Sequence, residues 1–358
     1  MLSLYVCSTE TAAGKTAVSV GLLRRVARDI GPTGFFKPIG GSSRKVEDDV
    51  VDEDVIFLKE ALGLTEPLAI LSPVVFPPDT DPKKPGALQP EAAERIKDSL
   101  GVVARGKEVV VVEGAPTLQD GAALGLAAGK VVEMLGARAL LVARYRGEAT
   151  LDDARAAAEL LGISLIGTVV NAVPEEHAEY VSNRLARQME EAGVSVIGVI
   201  PQDRGLMGAT VAELADYLGG KVLCCDGSTD RSVESLMIGA RSFNTGIPYF
   251  QRKQNKAVVT SADRPDMQMA ALETSTSCLV VTGDADPDAL VLGQAQAIKV
   301  PVVRVKENTV DTMERLEGFL AGVRFRQPNK VAIADRLLGQ GVDFERLYQT
   351  LGLRSRVV

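Results

Sequence analysis

At 358 residues, 46% hydrophobic and 24% charged, the chain is long enough for two domains and carries the apolar material for their cores. A formal net charge of -7 leaves no overall basic field for a nucleic-acid backbone or an anionic membrane surface, so neither is expected as a partner. Four cysteines at unrelated spacings and a single histidine make neither a disulfide framework nor a zinc site, which fits a reducing compartment. The N-terminus lacks the segments of a signal peptide and no apolar run approaches a membrane span, so the expected location is the cytoplasm.

In chain order, short runs rich in Val and Leu alternate with stretches at helical spacing, the habit of parallel strands joined by crossover helices. Strands are expected at 2–8, 34–39, 108–114, 137–143, 164–171, 194–200 and 221–225, with helices at 14–29, 52–62, 90–104, 151–161, 175–192 and 210–218. Both faces of these strands are apolar, so the fold expected is α/β, a mostly parallel sheet with helices on both faces. The proline-rich stretch 71–90 reads as a long loop. Within it Pro77 to Pro85, with Lys83 and Lys84, suits either a flap over a site or a dimer contact. After Cys225 the texture changes and a shorter alternation begins at 256–261, 277–283 and 300–305, which sets a boundary near Asp226 and two domains, 1–225 and 226–358. The stretch 329–351 reads as helical, with either domain or another subunit open as its packing partner. The chain shows no internal repeat.

The segment VCSTETAAGKTAVSV, 6–20, follows an apolar strand and opens a helix, where backbone N–H groups and the helix N-terminus converge on an anion. Thr11, Ala12, Ala13, Gly14, Lys15, Thr16 and Ala17 form the loop and helix start expected to hold a nucleotide. Gly14 lets the backbone approach the phosphates, Lys15 neutralises β and γ phosphate charge, and the Thr16 hydroxyl binds Mg²⁺. Thr9 stands where the usual phosphate loop has its first glycine. Glu113 ends the most apolar strand, VVVVE, where a carboxylate can orient hydrated magnesium. Asp54 lies in the acidic helix start DDVVDEDV and serves either the metal or the helix dipole. Lys37, in FFKPIGG, ends a strand on the ligand edge as a second phosphate clamp or a surface charge. Asn171 ends another strand on that edge, where its amide is placed to read a base. Arg144 and Arg146 sit at the same edge, within reach of a phosphate or simply solvated. His177 has no partner for catalysis, and the adjacent Cys224 and Cys225 read as core.

With these pieces in order, residues 1–225 resemble the dethiobiotin synthetase-like branch of P-loop proteins. STETAAGKT is similar to that branch's Gly-Thr-Asp-Thr-x-x-Gly-Lys-Thr, FFKPIGG to its Lys-Pro segment, VVEGA to its magnesium segment and VVNAV to its adenine-contacting asparagine. The segments GFFKPIG and IGVIPQDRGLMGATVAELADYLGG resemble the same fold at the N-terminus of long bacterial phosphate acetyltransferases. TSADRPDMQMAALE and CLVVTGDADPDAL resemble the DRTGG domain that follows it there, with Asp263, Arg264, Pro265 and Asp266 nearest to the motif. The resemblance implies ATP and Mg²⁺ as cofactors. It gives Lys15, Thr16, Asp54 and Glu113 to nucleotide and metal, Lys37 to the phosphate being transferred, and Asn171 to the base. Lys15 and Lys37 are the catalytic pair it implies. Two positions depart from it: Ser8 replaces the leading glycine, and Gly41 replaces a substrate-contacting serine. The acetyltransferase catalytic domain lies outside the sequence, so acetyl transfer is not expected. The expected function is a slow Mg-ATPase whose C-terminal domain senses a small metabolite or a protein; the alternative is an ATP-dependent ligase phosphorylating a carboxylate or carbamate. A homo-oligomer is expected, because this branch commonly pairs subunits.

Overall fold

The computed structural model describes residues 1–41, 43–46, 49–76, 91–239 and 243–356, and the chain forms two compact units, Met1–Gln202 with Phe325–Val358, and Asp203–Arg324. The first is built on six strands: β1 (Leu2–Cys7), β2 (Thr33–Phe36), β3 (Val109–Glu113), β4 (Arg138–Arg144), β5 (Leu165–Val173) and β6 (Val196–Pro201). They lie in the order β2-β3-β1-β4-β5-β6 with every neighbouring pair parallel. All five residues of β3 are buried, as a strand covered on both faces requires. The chain leaves β1 for β2 on one side and returns past β3 to β4 on the other. The switch point of the sheet is therefore at the carboxyl ends of β1 and β3, where an open α/β sheet forms its ligand crevice.

Helix α1 (Lys15–Asp29) covers the sheet with Val18, Leu22, Leu23 and Val26. Helix α2 (Glu53–Leu62) and the helices Ala92–Val103, Ala128–Leu135 and Ala149–Leu161 lie in the same unit. The expected helix at 175–192 is broken into a 3₁₀ turn, a short α turn, the π-helical stretch Val181–Leu185 and the α-helix Ala186–Glu191. Helices Pro328–Gly341 and Phe344–Leu351 also belong to this unit, which places the expected 329–351 helix on the first unit. Gly21 of α1 makes that packing possible: a Cβ there would stand 2.7 Å from Leu338 Cδ2. Tyr348 donates to Asp29 Oδ2 at 3.0 Å.

The second unit carries strands β7 (Lys221–Cys224), β8 (Ser235–Ile238), β9 (Lys256–Ser261), β10 (Thr276–Thr282) and β11 (Val302–Val305). Their order is β7-β11-β10-β9-β8, parallel except for β7 against β11. Alternate residues feed two cores: Val258, Leu279 and Val281 pack with Phe250 and Met267, and Ala257, Val259 and Val280 with Leu214 and Leu316. The run 221–225, counted from the sequence with the first alternation, pairs antiparallel in this second sheet, and the unit starts at Asp203 where the sequence suggested Asp226. Periodicity marks a strand but carries no information on which sheet it joins. Arg264 pairs with Asp266 at the start of helix Pro265–Leu272. No helix among the described residues is long and apolar enough to cross a membrane.

Candidate functional site

The loop from Ser8 to Gly14 joins β1 to α1 at the switch point. Ala12 and Gly14 both take positive φ, 56° and 96°, which turns the backbone tightly enough to aim the start of α1 into the loop. Gly14, the N-cap of α1, has no side chain to cap it, so the first N–H groups of the helix remain for the loop interior. Asn171, at the end of β5, braces the turn by donating from Nδ2 to Ala13 O at 2.8 Å. Thr11 and Ala12 form the exposed crest, while Ala13 and Ala17 are buried beneath it.

Lys15 folds inward, with Nζ donating to Ser8 Oγ at 2.6 Å and to Pro116 O at 2.7 Å. Burial lowers its pKa, against the upward pull of Glu113. Both acceptors are neutral, so among the described residues the ammonium has hydrogen bonds without a directly paired carboxylate. Thr16 Oγ1 donates to Glu113 Oε1 at 3.3 Å, which ties the helix start to the end of β3.

Beside this pair lies a buried cluster of charges. Lys37 Nζ stands 3.1 Å from Asp52 Oδ1, 3.0 Å from Asp54 Oδ2 and 3.3 Å from Glu113 Oε1. Burial alone would lower its pKa, but Glu113, Asp52 and Asp54 together hold it above the ordinary lysine value. Asp52 also caps α2, accepting from Val55 N at 3.0 Å, and takes a hydrogen bond from Gly41 N at 2.9 Å. Asp54 resists the upward push of burial because Lys37 on one side and Arg326 on the other keep its pKa low. Arg326 Nε donates to Asp54 Oδ1 at 2.9 Å, and its Nη1 lies 2.8 Å from Glu53 Oε2.

Glu113 is the carboxylate least well served. It is 2% exposed, its Oε2 has no hydrogen-bond partner among the described residues, and burial raises its pKa despite the attraction of Lys37. A raised folded pKa means that the carboxyl contributes most below the ordinary glutamate value of 4.5, and that stability falls as pH rises through the folded value. Glu113→Gln, which keeps the shape and removes the charge, is therefore expected to stabilise the protein by about 1 kcal/mol at neutral pH, net of the ion pair given up. The gain should shrink as pH falls toward 4.5, and urea unfolding of both proteins between pH 4 and 8 checks it. A constant difference would exclude titration of Glu113 as the cause.

The structure thus brings Gly14, Lys15, Thr16, Lys37, Asp54, Glu113 and Asn171 to one edge of one sheet. Asn171 faces the loop backbone there, through Ala13. Arg146 pairs with Asp153 at 2.5 Å and lies 3.5 Å from Glu10, and His177 rests against the ring of Tyr145. Pro77 to Pro85, Lys83 and Lys84 lie outside the described residues. Sequence reasoning missed Ser8 as a lysine acceptor, Asp52 and Arg326. Asp52 had a signal in the acidic run before α2; Arg326 stands 272 residues from Asp54 along the chain and had none.

A family model described as an AAA domain matches residues 3–210, more than half of the chain. The chain belongs to this AAA domain family. A DRTGG domain model matches residues 213–319. Along nearly all of its length the AAA–DRTGG chain is similar to phosphate acetyltransferases, to which it is homologous. The enzyme of Nitratidesulfovibrio vulgaris is 23% identical over 96% of the chain and 51% of that protein, and the enzyme of Pseudomonas aeruginosa is 24% identical over 98% and 52%. The chain therefore spans about half the length of these relatives. Among solved structures it is similar to the MinC:MinD cell division protein complex of Aquifex aeolicus, with a TM-score of 0.35 and 14% identity over 57% of this chain and 83% of that one.

Proposed function

We propose that this AAA–DRTGG protein binds Mg-ATP at the β1–α1 loop and hydrolyses it slowly, with the second unit sensing a small metabolite or protein. The observation that supports the reading is the orphaned Glu113 Oε2 beside the Thr16 hydroxyl and the loop lysine. Magnesium fits this donor set: it keeps most of its waters, takes few protein oxygens and completes its shell from phosphates. Among the described residues no group of three His, Cys, Asp or Glu is arranged to hold a metal by itself, which agrees with a metal that arrives with the nucleotide. Thr16 and Glu113 would hold it, and Asp54, engaged by Lys37 and Arg326, would act through the surrounding charge. The metal would supply charge neutralisation on the phosphates.

Lys15 carries the electrostatic part of the proposal. Its two acceptors are a hydroxyl and a carbonyl, and exchanging them for phosphate oxygens replaces hydrogen bonds to neutral acceptors with hydrogen-bonded ion pairs. Asn171 keeps the loop carbonyl of Ala13 satisfied, so the turn is formed before a ligand arrives and ordering it costs little. The ligase alternative asks Lys37 to stabilise a transferred phosphoryl group. Its ammonium is shared among three carboxylates, which favours binding and slow hydrolysis over transfer.

Lys15→Ala is expected to weaken Mg-ATP by about 1.5–3 kcal/mol, the scale of lost charge-assisted hydrogen bonds, in calorimetric titrations of the full chain. Equal affinities would remove the loop from the reading. Phosphate release measured with and without a panel of diamines and short carboxylic acids separates the two chemistries, since a ligase releases phosphate only with its second substrate.

A further inference from the structure

Arg326 enters the proposed function only as a partner of Asp54, yet it touches the charge cluster directly. In sequence it lies two residues beyond Arg324, the last residue of the second unit, at the point where the chain rejoins the first. Its guanidinium spans two carboxylates of α2, Asp54 and Glu53, at 2.9 and 2.8 Å, a two-sided grip that the planar fork of arginine makes and a lysine does not. The neighbouring Phe325 ring meets Phe57 of the same helix edge-on, with centroids 6.2 Å apart. The returning segment is thus fastened to α2 by one ion-pair fork and one aromatic contact. Asp54 in turn faces Lys37, and Lys37 faces Glu113, so three ion pairs in series link Arg326 to the carboxylate next to Thr16.

We propose that Arg326 is a positioning residue of the phosphate site: by neutralising Asp54 it limits how firmly Lys37 is held back among its carboxylates, and so tunes the affinity of the site for an anionic nucleotide. The inference rests on the nucleotide reading. Without Arg326, Asp54 keeps its full charge for Lys37, the cluster gains one net negative charge, and a triphosphate meets a more repulsive edge.

The test is a double-mutant cycle in the full chain, read by calorimetric Mg-ATP affinity, with Lys15→Ala as control and circular dichroism to show that each variant is folded. Arg326→Met is expected to weaken Mg-ATP about tenfold in the wild-type background, and by less than about threefold in an Asp54→Asn background, where the charge it neutralises is absent. Arg326→Lys should fall between. Hydrogen exchange of peptides covering 324–328 should slow when Mg-ATP binds the wild type and not when it binds Arg326→Met. An equal loss in both backgrounds would mean that Arg326 acts through general stability, and no loss would mean that it does not act on the site; either result overturns the proposal. If Lys15→Ala abolishes binding while Arg326→Met leaves it intact, the nucleotide reading stands and only this inference falls. If the wild type takes up no Mg-ATP, both fall.

Discussion

Lys37→Met is expected to destabilise the first unit by about 3–5 kcal/mol at neutral pH, the largest effect of any single substitution at the site, because it leaves buried carboxylates without the ammonium they share. Methionine fills nearly the same volume, so the loss comes from charge and not from a cavity. Lys37 is 3% exposed, and its three partners lie within 3.3 Å. The pH dependence follows from the signs. Lys37 has a folded pKa above its ordinary 10.5, so its contribution is complete below that value and is lost only as pH rises through the higher folded value. Asp54 has a folded pKa below its ordinary 3.8, so its contribution is complete above 3.8 and is lost as pH falls through the lower folded value. Between these limits the Lys37–Asp54 pair is at full strength. In Lys37→Met, Glu113, already raised by burial, and Asp54, which has lost the lysine that lowered it, take up protons more readily, so the gap between variant and wild type should narrow as pH is lowered toward 4. Urea unfolding at pH 7.5 and 4.5 measures this, with the first unit's transition assigned by hydrogen exchange of its own peptides. A variant as stable as wild type at pH 7.5 would show that the shared ammonium is not what stabilises the cluster.

The parts of the site that can be read from the sequence are those fixed by local geometry. Gly14, Lys15 and Thr16 announce themselves because a strand, a turn and a helix start must follow one another within a few residues to make an anion cup. Glu113 is legible because a carboxylate that ends an all-valine strand has one place to be. Lys37 is legible as a residue of the ligand edge, but not as the centre of a cluster, because Asp52 and Asp54 reach it only through the packing of α2. Arg326 is illegible for the same reason at longer range: its pairing depends on the chain returning to the first unit after the whole of the second. The fold divides along the same line. Strands and their parallel arrangement follow from apolar runs, whereas the assignment of 221–224 to the second sheet depends on an antiparallel edge contact with β11 that no periodicity encodes. One practical consequence concerns truncation. Cutting the chain after residue 225 would remove helices Pro328–Gly341 and Phe344–Leu351 from the first unit, exposing the surface of α1 around Gly21 and leaving Asp29 without Tyr348.

Gly14→Ala is expected to cost about 2–4 kcal/mol of first-unit stability, the second largest effect, as the sum of backbone strain, a steric clash and a lost hydrogen bond. At φ 96° the residue lies in the region that disfavours any side chain, which accounts for about 1–2 kcal/mol. A Cβ built there would stand 2.1 Å from Asn171 Nδ2, so the amide must move, and moving it breaks the bond to Ala13 O that braces the loop. These contributions separate in a double variant. Asn171→Ala removes the clashing amide and should recover the steric part, so that Gly14→Ala costs about 1–2 kcal/mol in the Asn171→Ala background, the strain alone. The nucleotide reading adds a second readout. Because Asn171 braces the loop carbonyl, Asn171→Ala alone should weaken Mg-ATP by about 1 kcal/mol while leaving the fold intact, the price of ordering the turn at the moment of binding. Urea unfolding of the four proteins of the cycle, with calorimetric titration of Mg-ATP into those that remain folded, measures both. If Gly14→Ala costs the same with and without Asn171, the amide does not press on the loop, and the cup is held in shape by its own backbone.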